Sequence, residues 1–151
     1  MEEYKGEGSM EDRSNKEPVL IIPCSGIGKV HGLLSREATY LVTDVIAPKQ
    51  IDTMCLALLV KGDSEAIDAV KSQTCITIDG CSKACAEKNV KIAGGIPARM
   101  VQVIEVLKAH RGAKPGTPNE LTKEGWSVAR EIAAMVVDTA AHLRGEKEKI
   151  R

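Results

Sequence analysis

The sequence predicts an α/β fold: one domain with a mainly parallel sheet of about four strands, flanking helices and a long C-terminal helix. Three observations carry this. Short aliphatic or β-branched runs end in turn residues, stretches of helical period separate them, and the final stretch has a broad apolar stripe. The 151 residues match one ordinary domain, and at 43% hydrophobic they supply a real core. Residues 1–17 carry both signs of charge with almost nothing to bury and read as a disordered arm, 18–145 as the α/β domain, and 146–151 as a polar tail.

Val19-Leu20-Ile21-Ile22 is a continuous apolar run punctuated by Pro23, Ser25, Gly26 and Gly28, which suits a buried strand entering a turn. Val30, Leu33, Leu34, Ala38, Leu41 and Val42 then recur at helical spacing, giving a helix of about four turns. The stretch from Ile51 to Asp63 fits strand or helix, and its shortness favours a strand around Thr53 to Cys55. Ser64 to Ser72 reads as a short helix with Ala66, Ile67 and Val70 inward. Thr74 to Ile78 is a β-branched run stopped by Asp79-Gly80, a strand end. Ser82 to Asn89 is expected to be helical, and Met100 to Ile104 to be the fourth strand. After the Gly112–Pro118 loop, Thr122 or Asn119 caps the last helix. Its stripe runs through Trp126, Ala129, Ile132, Ala133, Val136, Val137, Ala140 and Leu143, and Gly145 ends it. This helix is also a candidate homodimer surface.

Composition excludes several classes of function. Lys plus Arg and Asp plus Glu both number 21, so the formal charge is zero, without the basic excess of a phosphate-backbone binder. Phe is absent and only Trp126, Tyr4 and Tyr40 are aromatic, so stacking platforms for single-stranded nucleic acid are missing too. No run is long and apolar enough to span a bilayer, and the polar N-terminus is unlike a signal peptide. A cytoplasmic location is therefore expected. In that reducing compartment, clustered cysteines are metal ligands or catalytic thiols more often than a disulfide framework.

The five cysteines are Cys24, Cys55, Cys75, Cys81 and Cys85. Cys24, Cys55 and Cys81 each fall at or beside the end of an expected strand. Parallel strands put all their carboxyl ends on one rim, so cysteines distant in sequence meet there. Cys85 joins them if Cys81 and Cys85 share a helix face. Two such residues hold their Cβ atoms roughly 6 Å apart, wider than the ~3.8 Å of a disulfide and suited to a bridging metal with thiolate bonds near 2.3 Å. Four thiols suit a tetrahedral thiophilic ion, with zinc first and an iron–sulfur cluster second. Cys24 and Cys81 at helix starts would gain from free N–H groups, and Lys29, Lys83 and Lys88 would offset the thiolate charge. Cys75, inside a central strand, reads as core packing.

The motifs Cys24-Ser25-Gly26-x-Gly28 and Asp79-Gly80-Cys81-x-x-x-Cys85, with Cys55 before the Gly62 turn, resemble the DGC-domain proteins. The resemblance runs from about Val19 through Lys88 and extends to the last helix. It implies a zinc ion held by Cys24, Cys55, Cys81 and Cys85, and it implies no particular activity. After Cys55 the family has a glycine-rich stretch, where this chain has Leu56-Ala57-Leu58-Leu59-Val60.

Other readings stand beside this one. The turn after Cys24 lacks the Gly-Lys-Ser/Thr of a phosphate loop and the arginine of a phosphatase loop, since Val30 stands at both positions. His31, His110 and His142 show no ligand spacing to one another, and His31 reads as a surface or supporting histidine. A different class of function is a thiol redox enzyme using Cys24 or Cys81 as nucleophile. A third is a scaffold stapled by its metal, although a core of this size folds without a staple. Four thiolates close the coordination shell, which argues against a metal-activated water.

Overall fold

Val19 to Ile22 are apolar at every position because the strand they form is covered on both faces, as interior parallel strands are. A computed structural model of the chain describes residues 17–24 and 26–145. Apart from Glu17, the expected arm and the polar tail lie outside the described residues, as does Ser25. Four strands, β1 (Val19–Pro23), β2 (Ile51–Thr53), β3 (Cys75–Asp79) and β4 (Arg99–Gln102), form one sheet in the order β2-β1-β3-β4, every pairing parallel. The α/β class read from the sequence is the class observed.

The helices divide between the two sheet faces. On one lie α1 (Val30–Tyr40) with its π-helical continuation Leu41–Ile46, α5 (Val103–Lys108) and the long α6 (Lys123–Leu143). On the other lie α2 (Leu56–Lys61), α3 (Ser64–Ser72) and α4 (Cys85–Ile92). Strand alternation sorts the core accordingly. Val19, Ile21, Ile76 and Ile78 meet the α1 and α6 side, whereas Leu20, Ile22 and Cys75 meet the α3 and α4 side. Most of the stripe of α6 packs within the chain: Val128, Ala129, Ile132, Ala133, Val136 and Ala140 are buried, Trp126 and Val137 are half-buried, and Leu143 is exposed. Thr122 caps that helix by accepting the Gly125 N–H at 3.1 Å, and Asn119 does not.

Three elements differ from the sequence expectation. The second strand is Ile51–Thr53, not Thr53 to Cys55. Cys55 instead stands as the N-cap of α2, whose Leu56 and Leu59 are buried three residues apart. The run Met100 to Ile104 is strand only to Gln102. Val103 and Val106 then bury at helical spacing, and Glu105 pairs with Lys108 one turn on at 3.2 Å. The helix expected over Ser82 to Asn89 begins at Cys85, because Ala84 takes a left-handed conformation (φ 52°) that no regular helix includes.

None of the described helices is long and apolar enough to cross a membrane.

Candidate metal centre

The strand order reverses direction between β1 and β3. The first crossover carries the chain from β1 out to β2, and the next brings it back past β1 to β3. A crevice opens beyond the carboxyl ends of the strands at such a switch point. The turns flanking it carry Cys24, directly after β1, and Cys81, two residues after β3.

Three glycines set how close these turns come. A Cβ on Gly26 would run into the Gly32 backbone, and one on Gly32 would run into Gly26. A Cβ on Gly80 would lie 2.8 Å from the His31 carbonyl carbon and 2.9 Å from the Gly32 nitrogen. The β1–α1 turn, the start of α1 and the Asp79-Gly80 turn therefore pack backbone to backbone, where only glycine fits. Gly28 meets nothing within 4 Å, so the glycine that matters beside Gly26 is Gly32. Its signal in the sequence was a glycine inside a helical pattern, which costs stability unless a close approach requires it.

This packing aims polar groups at the Cys24 sulfur. The Gly80 N–H donates to Cys24 Sγ at 3.3 Å, and Ser35 Oγ stands 3.4 Å from the same sulfur. Ser35, fully buried on α1, also donates to the Gly32 carbonyl at 2.8 Å. Burial pushes the Cys24 thiol above its ordinary value, although the bonds from Ser35 and Gly80 pull the other way.

Asp79 explains the position of Cys85. The residue is 2% exposed, and its carboxylate accepts the N–H groups of Ala86 at 2.6 Å and Glu87 at 3.0 Å, so it caps α4 from the end of β3. Burial raises its pKa, and the two N–H bonds oppose the rise. Cys85 thus becomes the first residue of α4, while Cys81 stays in the preceding turn, closed by Ala84 N–H to the Cys81 carbonyl at 3.1 Å. The two cysteines do not share a helix face as the spacing alone implied, and Cys81 is not at a helix start. The turn brings both to the same cavity by another route.

That cavity, about 300 Å³, is lined by Cys24, Cys81 and Cys85, with Lys29, Lys83 and His31. His31 is partly buried, its Nδ1 is enclosed without a hydrogen-bond partner, and burial followed by the charge of Lys29 lowers its pKa. Cys55 lies elsewhere. It is exposed and lines a neighbouring cavity of about 200 Å³ with Cys24, Arg36, Tyr40 and Thr53. Leu56 lines both cavities. Cys75 is fully buried in β3, and burial pushes its thiol up to about 11.

The model of the DGC domain matches residues 20–134. The chain belongs to the DGC-domain family. No curated protein matches it, and no solved structure does. The three letters of the family's name now have physical roles in this DGC domain. Asp79 caps the helix that carries Cys85, Gly80 admits the α1 backbone and donates to Cys24, and Cys81 lines the cavity.

A thiophilic ion fits the chemistry of this donor set. Three thiols and an imidazole ring one space, an N–H donor already faces one sulfur, and two lysines line the wall. Among the described residues no group of three or more His, Cys, Asp or Glu side chains is placed to hold a metal ion.

Proposed function

We propose that this DGC domain binds one zinc ion at the β1/β3 switch point. Cys24, Cys81 and Cys85 would hold it, and the family pattern makes Cys55, in the neighbouring cavity, the candidate fourth ligand. The observation that carries the reading is that three cysteines from two separate turns line one cavity. A bound zinc ion would stabilise the thiolates of its ligands and tie the two turns together. The Gly80 N–H would then donate to a thiolate, a charge-assisted bond stronger than the one a thiol accepts. Lys29 and Lys83 would offset the negative charge of the shell. An iron–sulfur cluster would use the same thiols and differs in colour and iron content. For the thiol redox alternative, a nucleophilic Cys24 would need its thiolate favoured, and burial acts in the opposite direction. The domain is proposed to work in the cytoplasm, where these thiols stay reduced.

Elemental analysis of the purified, untagged protein, with its ultraviolet–visible spectrum, tests the reading. About one zinc per chain without visible absorption is expected, and Cys81→Ser should lose it. A brown sample containing iron would move the assignment to a cluster. Folded protein, prepared anaerobically, that neither contains zinc nor takes it up would overturn it.

A further inference from the structure

We infer that His31, not Cys55, supplies the fourth ligand of the ion, so that the site is three thiolates and one imidazole and Cys55 remains a free thiol beside it. The inference rests on the metal-binding reading above.

Position separates the two candidates. His31 lines the same cavity as Cys24, Cys81 and Cys85, whereas Cys55 lines the adjacent one. His31 is also locked against the cysteine turns. Its backbone lies against Gly80 so closely that a Cβ there would stand 2.8 Å from the His31 carbonyl carbon. Cys55, by contrast, is bound into its own helix. As the N-cap of α2 its carbonyl accepts the Leu58 N–H at 3.0 Å, and the next residue, Leu56, is buried and lines both cavities. Cys55 shares the adjacent cavity with Cys24, but neither Cys81 nor Cys85 lines it.

The His31 ring has an unmet need. Its Nδ1 is buried and has no hydrogen-bond partner, and buried polar atoms in folded proteins rarely go unpaired. His31 lines the adjoining cavity, and rotation of its ring would turn this enclosed nitrogen toward a cation there. Charge favours the same assignment. Three thiolates and a neutral imidazole around a divalent ion leave one net negative charge, against two for four thiolates. Lys29 and Lys83 are the cations lining the cavity.

Two measurements on the wild-type chain and two variants decide it. In zinc-loaded protein, iodoacetamide followed by peptide mass spectrometry should modify Cys55 as fast as in metal-free protein, while Cys24, Cys81 and Cys85 are protected. In cobalt-loaded protein, Cys55→Ser should keep both stoichiometry and visible spectrum. His31→Leu should weaken binding by about tenfold or more and shift the ligand-field bands, a shift that a merely supporting histidine would not cause. Protection of Cys55 by zinc equal to that of the other three, or loss of cobalt in Cys55→Ser with an unchanged spectrum in His31→Leu, would overturn the inference. The footprint needs no variant, so it decides even if His31→Leu fails to fold. Wild-type protein that takes up neither metal would instead refute the metal-binding reading, and this assignment with it.

Discussion

The turns after the central strands β1 and β3 and the turn after the edge strand β2 all carry cysteine, yet they are built differently. Around Cys24 and Gly80 the backbones of three segments touch, Cys24 is 8% exposed, and its sulfur has an N–H and a hydroxyl beside it. Around Cys55 the chain enters a six-residue helix, the thiol is exposed, and Gly62 ends the helix with nothing within 4 Å of where its Cβ would be. The difference teaches that strand ends bring thiols to one rim, while glycine contacts bring the turns of Cys24 and Cys81 together and leave Cys55 in a neighbouring cavity that it shares with Cys24. A central strand has neighbours on both sides whose turns can close over it. An edge strand has one.

The largest effect should come from filling the glycine contact. Gly80→Ala pushes a methyl into backbone atoms of His31 and Gly32 that cannot swing aside, and should cost upward of about 3 kcal/mol, or prevent folding. Gly62→Ala at the edge turn meets only the strain of its left-handed φ of 84° and should cost about 1 kcal/mol. Urea melts of both variants read the contrast, and equal losses would break it. Next is Asp79→Ala, which leaves the Ala86 and Glu87 N–H groups without their acceptor. It should destabilise by roughly 2 kcal/mol and weaken metal uptake, with Asp79→Asn about half as severe. Hydrogen exchange at those two amides checks the cause.

Cys75 sharpens the comparison from inside β3. Its thiol is pushed up to about 11 in the folded protein from a value near 9.0 when unfolded. The folded state therefore holds its proton more tightly, so this contribution is complete below about pH 9 and is lost as pH rises from 9 toward 11. The loss should be on the order of 2 kcal/mol, read as a steeper alkaline fall in stability for wild type than for Cys75→Ala. The smallest effect is expected at Ala84, where Ala84→Gly relieves a left-handed alanine and should change stability by about 1 kcal/mol or less. Thermal melts of the metal-free protein would show it.

Much of this was legible in the residues. The four-residue aliphatic run of β1, the β-branched run of β3, the helix from Ser64 to Ser72 and the stripe of α6 all carry their period openly, and their alternation predicts the parallel sheet. Tertiary context hid the rest. Val101, Val103 and Ile104 look like strand, yet the chain turns into α5 after Gln102 because Val103 and Val106 find the α1-side core. The start of α4 is set by Asp79, three residues before Ser82, so local helix signals misplace it and with it Cys81. Ser35 and Gly32, both within α1, carry no motif of their own. Only the contact between α1 and the two cysteine turns gives them a role.

The guanidinium of Arg144, just past α6, donates to the carbonyls of Glu17 at 3.2 Å and Gln50 at 3.4 Å. Both acceptors precede the strands they lead into, so this clasp lies at the amino edge of the sheet, opposite the thiols. The two ends of the described chain are therefore neighbours on the face away from the cavity. A short peptide joining Glu17 to Gly145 would not cross the cysteine rim, and the chain could be reopened in an exposed loop as a circular permutant. A surface tether attached at Glu17 or Gly145 would likewise lie on the side away from the cavity.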